Sequence, residues 1–134
     1  MNSDKTNTEG AVRTALTQGS SVVGIRMTIA NSGSAFPGAS QGNGTSEGSG
    51  IIISQDGYIM TNYHVVSYAD TKNGASGNAT LEVFLPDKRQ AKAKFIGGDS
   101  VNDLAVIKID MVNLPVAELG DSSKLEVGEP AIAI

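Results

Sequence analysis

Ala91, Ala93 and Phe95 alternate with Lys92 and Lys94. Only a backbone whose side chains point in turn to opposite faces sorts such a stretch into one apolar and one charged side. The segment reads as a half-buried β-strand. The same period of two runs through Val23, Ile25, Met27 and Ile29, and again through Leu81, Val83 and Leu85, which alternate with Glu82 and Phe84. Shorter apolar runs at Ile51-Ile52-Ile53, Tyr58-Ile59-Met60 and 104–109 complete a set of six.

The punctuation between these runs is that of turns. Ser54-Gln55-Asp56-Gly57 ends in an Asp-Gly pair, which supplies the positive φ of a tight hairpin. Pro86-Asp87-Lys88 turns the chain, and Gly97-Gly98-Asp99 is expected to end the fifth strand. Two longer stretches, Ala30 to Gly48 and 70–78, are rich in Gly, Ser and Asn and are expected to be loops, the first of them long and mobile. Six strands, short turns and two glycine-rich loops predict an all-β fold closed into a small barrel. The 16 glycines and only 3 phenylalanines among 134 residues agree with many turns and a small-residue interior.

A chain of this length is expected to be organised in three parts. Residues 1–19 form a flexible segment with a short helix over 11–16; residues 20–110 form the barrel; residues 111–134 form a connector. Within the connector, Asp121-Ser122-Ser123-Lys124-Leu125 resembles a single helical turn behind an aspartate cap. Ala131-Ile132-Ala133-Ile134 is expected to begin a strand that continues into further sheet, as if the chain stopped partway through a larger fold.

Charge and composition exclude several functions. The net charge is −4 and no basic cluster is interleaved with aromatics, which is the wrong footprint for nucleic acid. The absence of cysteine removes disulfides, thiolate nucleophiles and zinc fingers. One histidine leaves only scattered carboxylates as ligands, and no calcium-loop pattern is present, so neither metal nor cofactor is expected. No apolar run approaches the roughly 18 residues of a membrane span. Met1-Asn2-Ser3-Asp4-Lys5 lacks the hydrophobic region of a signal peptide, and a soluble chain is expected.

Chemistry is expected at His64, the only histidine, because imidazole is the side chain that exchanges a proton near neutral pH. It follows the Tyr58-Ile59-Met60 strand, so the hairpin carries it to one end of the sheet. A lone histidine is more often structural and needs a partner to act. Asp103 stands at the mouth of the 104–109 strand, where burial beside the histidine is expected and where an unpaired carboxylate would be costly. Together they would supply the base and the orienting carboxylate of a serine-protease charge system. Alone, an aspartate before a strand is more often a turn or cap residue.

Gly44-Thr45-Ser46-Glu47-Gly48 matches the Gly-x-Ser-x-Gly nucleophile elbow, but that motif needs a strand-to-helix turn and here a strand follows. Asn43-Gly44-Thr45 and Asn78-Ala79-Thr80 match the glycosylation pattern, as polar loops often do by chance.

Several motifs in one order resemble the HtrA/Deg branch of the trypsin-like serine proteases. They are Gly48-Ser49-Gly50-Ile51-Ile52-Ile53, Asp56-Gly57-Tyr58-Ile59-Met60-Thr61-Asn62-Tyr63-His64-Val65-Val66, Asn102-Asp103-Leu104-Ala105-Val106-Ile107-Lys108, Leu114-Pro115, Leu119-Gly120-Asp121-Ser122 and Val127-Gly128. The likeness runs from about residue 21 to the end. It implies a six-stranded antiparallel Greek-key barrel, the first of two, with the start of the second barrel's first strand at the end of the chain. It also implies His64 as general base and Asp103 as its orienting carboxylate. Tyr63 stands where many relatives carry a second Asn, a departure not expected to touch the chemistry. Residues 30–47 match a variable loop that in some members contacts other subunits or regulates activity.

The family's nucleophilic serine and oxyanion donors lie in a Gly-Asn-Ser-Gly-Gly segment, and these 134 residues contain none. The resemblance therefore implies the amino-terminal half of an endopeptidase acting on unfolded or damaged proteins, inactive by itself. It further implies a homo-oligomeric parent outside the cytoplasm, tethered by an upstream segment, with strand pairing between copies through 130–134 as a further expectation. The alternative is a non-catalytic barrel that binds peptides or partners along exposed strand edges.

Overall fold

The computed structural model describes residues 3–30, 44–73 and 78–134, and its strands follow the apolar alternation. They are β1 (Val22–Ile29), β2 (Gly44–Ile52), β3 (Tyr58–Thr61), β4 (Ala79–Phe84), β5 (Gln90–Asp99) and β6 (Leu104–Ile109). They close into a barrel in the order β1-β2-β3-β6-β5-β4, with β4 returning to pair with β1. Every pairing is antiparallel, and the jump from β3 across to β4 makes the connection a Greek key.

Period-two alternation translates directly into burial. Val23, Ile25 and Met27 point into the barrel from β1, Leu81 and Val83 from β4, and Ala105, Ile107 and Ile109 from β6. Each large aliphatic side chain buried this way contributes about 1.5–3 kcal/mol. On β5, Ala91, Ala93 and Phe95 are half-buried while Lys92 and Lys94 face solvent, as the lysine alternation predicts.

The β2–β3 hairpin turns through Ser54–Gly57, closed by the Gly57 N–H donating to the Ser54 carbonyl at 3.2 Å. Gly57 takes φ +101, a conformation that costs glycine nothing. A Cβ there would also strike the Ile109 carbonyl oxygen.

Five features differ from the sequence expectations, four of them in the fold. First, β2 begins at Gly44, inside the expected loop; of that loop, residues 31–43 lie outside the described residues. Glycine and serine have little strand preference of their own, but β1 supplies a ladder from Val22↔Ile51 to Ile29↔Gly44. The outward Arg26 then bonds Glu47 at 2.8 Å and stacks over Phe84.

Second, β5 does not stop at the glycines. Gly97, Gly98 and Asp99 pair with Val106, Ala105 and Leu104 across a bulge between Phe95 and Gly97. Gly98 is there because the Tyr63 ring packs on it: a Cβ at 98 would lie 2.5 Å from Tyr63 Cδ2.

Third, the helix α1 spans Ser3–Gln18, in place of the expected flexible segment with its shorter helix over 11–16. Its support is tertiary. Ala11, Thr14, Ala15 and Gln18 line a groove with Pro130, Ile132 and Ile134, and Gln18 Oε1 accepts the Glu118 N–H at 3.0 Å. Fourth, Ala131–Ile134 form no strand; Ile132 and Ile134 lie along α1 instead. Asp121 does cap a short 3-10 turn, Ser122–Lys124, by accepting the Ser123 N–H. No helix among the described residues is long and apolar enough to cross a membrane.

Candidate active site

β3 ends at Thr61, whose hydroxyl donates to the Ser49 carbonyl at 2.8 Å. Asn62 remains extended at φ −81, ψ 142, and the chain then makes the single helical turn α2, Tyr63–Val66. Four residues cannot hold a helix by themselves, so the turn is held by what it touches. Val65 and Val66 are buried, and Val65 sits so close to β2 that a Cβ at Gly48 would come 2.6 Å from its Cγ2. That contact gives a steric reason for glycine at the start of the Gly48-Ser49-Gly50 motif. His64 is left facing outward, with its side chain 71% exposed.

Asp103 arrives from the opposite side, at the end of the β5–β6 turn. Asp99 organises that turn by accepting the Val101 and Asn102 backbone N–H groups at 2.9 and 3.1 Å, and it also takes the Asn102 side-chain amide. Asp103 itself adopts φ 54, a left-handed conformation that few residues other than glycine, asparagine and aspartate accept. Its carbonyl receives the Asn62 Nδ2–H at 3.1 Å.

The two elements meet at the Asp103 carboxylate. Asp103 Oδ2 lies 2.8 Å from His64 Nδ1, and Oδ1 accepts the His64 backbone N–H at 2.9 Å. A carboxylate beside Nδ1 assigns the proton to that nitrogen and leaves the Nε2 lone pair free, the tautomer that a general base requires. The His64 backbone N–H, followed by its ring, holds the Asp103 carboxyl below the usual carboxylate value; partial burial opposes this, and Asn62 adds a smaller contribution in the same downward direction.

The fifth difference is here. Asp103 is not buried as expected: its side chain is 43% exposed, because it stands at the barrel rim where β6 begins. Hydrogen bonds rather than exclusion of water fix it in place.

Ser46, of the Gly-x-Ser-x-Gly sequence, sits within β2 opposite Met27, with no helix after it, so the elbow geometry is absent. Among the described residues no cluster of His, Cys, Asp or Glu could hold a metal ion. Sequence reasoning missed Asp70, a buried residue within a polar loop, and the turn-organising role of Asp99. The only signal for the latter was the Asp99–Asn102 spacing, which is common in turns.

The chain is similar to known proteins in both sequence and fold. The family described as trypsin-like peptidase domain matches residues 48–134. A probable periplasmic serine endoprotease, DegP-like, from Pseudomonas savastanoi pv. phaseolicola is 48% identical over 106 residues, which are 76% of this chain and 20% of that protein. One of the same description from Hahella chejuensis is 50% identical over 89 residues, 66% of this chain and 17% of that protein. The solved structure described as HtrA-type protease AlgW with tripeptide superposes with a TM-score of 0.67 at 31% identity, covering 87% of this chain and 32% of that one. The chain thus spans about a fifth of the length of the curated relatives it matches.

Proposed function

The chain belongs to the trypsin-like peptidase domain family, in its HtrA/Deg-type branch, and from that premise we propose that it is the amino-terminal catalytic half of a serine endopeptidase. His64 is the general base and Asp103 its orienting carboxylate. The observation that carries this reading is the double contact of one carboxylate with both the ring and the backbone of the only histidine.

In the reaction, His64 Nε2 takes the proton of a serine hydroxyl as the oxygen attacks the scissile carbonyl. Asp103 stabilises the imidazolium that results, and the same Nε2 returns the proton to the leaving amine. The serine and the oxyanion donors belong to a Gly-Asn-Ser-Gly-Gly segment outside these 134 residues, so this half alone does not turn over. The parent acts on unfolded or damaged proteins outside the cytoplasm; in support, its relatives carry the names of periplasmic serine endoproteases. Assembly of the parent into homo-oligomers belongs to the same reading. Pairing through 130–134 does not, since those residues lie along α1.

A fluorogenic casein assay tests the proposal. The isolated chain is expected to show no turnover, and the enzyme carrying both barrels to hydrolyse casein until His64→Ala removes the activity. Turnover by the isolated chain that vanishes in His64→Ala would overturn the inactivity of the half; undiminished turnover in the two-barrel His64→Ala enzyme would remove His64 as base. The alternative of peptide binding along exposed edges is not favoured, because the strands close into a ring and free edge is confined to stretches such as 44–49 of β2 and 94–99 of β5, where one strand runs past its neighbour.

A further inference from the structure

We propose that Tyr63 is a positioning residue for His64, anchored by its hydroxyl to the buried carboxylate of Asp70. The inference rests on the general-base reading of His64 and adds a residue that acts through the backbone rather than on substrate.

Asp70 is 3% exposed, and the partners that approach its side chain are neutral: the Tyr63 hydroxyl donates at 3.0 Å, the Lys72 backbone N–H at 3.2 Å, and the Asn73 amide completes the set. A buried carboxylate is costly unless it is hydrogen-bonded. Burial pushes the Asp70 carboxyl upward, but the bonds from Asn73, Tyr63 and Lys72 together outweigh it and hold the group below the ordinary value, hence ionised. Hydrogen bonds to an ionised acceptor are roughly twice as strong as neutral ones, so this carboxylate grips the tyrosine firmly.

The ring is held as well as the hydroxyl. One side of Tyr63 rests on Gly98, where even a Cβ would intrude, and Phe95 meets it edge-on with centroids 6.5 Å apart. Tyr63 is joined to His64 by one peptide bond in a four-residue turn. Asn62, on its other side, is tied to the Asp103 carbonyl. Val65 and Val66 fix the depth of the turn in the core, while Tyr63 fixes its rotation, and rotation decides whether Nδ1 meets Oδ2 of Asp103.

The single histidine makes the test clean, because ring 15N chemical shifts of the 134-residue chain report one imidazole and give its tautomer ratio directly. Tyr63→Phe keeps the ring and deletes the hydroxyl; it is expected to lower the ratio of the Nδ1–H to the Nε2–H form about tenfold, the effect of losing one hydrogen bond to a charged group. Asp70→Asn, which keeps shape but removes charge, is expected to fall between Tyr63→Phe and the parent chain. Val83→Ala, a core truncation on β4, is expected to lower the melting temperature with the tautomer ratio unchanged.

A parental ratio in Tyr63→Phe overturns the proposal, as does an equal shift in Val83→Ala. Should Tyr63→Phe not fold, an unchanged ratio in Asp70→Asn overturns it. In the two-barrel enzyme Tyr63→Phe is expected to lower kcat about tenfold with KM unchanged, as a misaligned base does. His64→Ala in that enzyme tests the base reading separately: full turnover there removes that reading, and this inference with it, whatever the tautomer ratio.

Discussion

Asp103 holds His64 at two points, its Oδ2 2.8 Å from the ring Nδ1 and its Oδ1 2.9 Å from the backbone nitrogen. A side chain bonded only through its ring can swing about its own χ angles. Here the second bond holds the carboxylate against the His64 peptide itself, so Oδ2 stays within reach of the ring. The imidazole and the carboxylate thus form one hydrogen-bonded unit, although both stand at the surface.

That unit predicts the behaviour of Asp103→Asn. The amide can still accept one hydrogen bond, so the barrel is expected to fold with an unchanged far-UV circular dichroism spectrum. In the two-barrel enzyme, turnover is expected to fall about 10⁴-fold, because the amide favours the wrong imidazole tautomer. Steady-state kinetics with an unchanged rate would take Asp103 out of the charge system.

Acid is expected to weaken the fold. Asp56, Asp70, Asp87, Asp99, Asp103 and Asp121 all lie below the ordinary value of 3.8 in the folded chain. Each contributes stability that is fully present above the unfolded-state value and is lost as pH falls through the lower folded value. The melting temperature should therefore stay level from pH 7 to about 5 and drop below about pH 4. A melting temperature that rose on acidification would contradict the hydrogen bonding at these carboxylates.

Gly57→Ala tests the hairpin. It forces an L side chain into φ +101 and against the Ile109 carbonyl, with an expected loss of about 1–3 kcal/mol in urea unfolding.

Ile107→Ala tests the core. Ile107 is fully buried on β6, paired with Ile59 on one side and Phe95 on the other, and its truncation should cost about 2–5 kcal/mol, against about 0.5–1.5 for Ile107→Val. Urea midpoints of the two variants would separate a tightly packed interior from a loose one.

The strands were legible because burial on a pleated sheet has a period of two, and Val23, Ile25, Met27, Leu81 and Val83 write that period into the chain. His64 and Asp103 were legible as residue types in a pattern, and the structure brings them together. The start of β2 was not legible, because Gly44 to Gly48 become a strand only through the ladder that β1 offers. Helix α1 was only partly legible, since its support comes from residues a hundred or more positions away. The bond between Tyr63 and Asp70 left no periodic trace at all: a tyrosine beside a histidine and an aspartate in a polar loop look unrelated until the chain folds.

The left-handed backbone at Asp103 has a bearing on what mutation can do there. Of the twenty amino acids, only glycine, asparagine and aspartate enter that conformation readily, so two screens act on one position and admit different sets. A saturation library at 103 sorted for soluble expression should retain all three, whereas the same library sorted for proteolysis by the two-barrel enzyme should retain aspartate alone. The gap between the two surviving sets separates what the architecture tolerates from what the reaction demands.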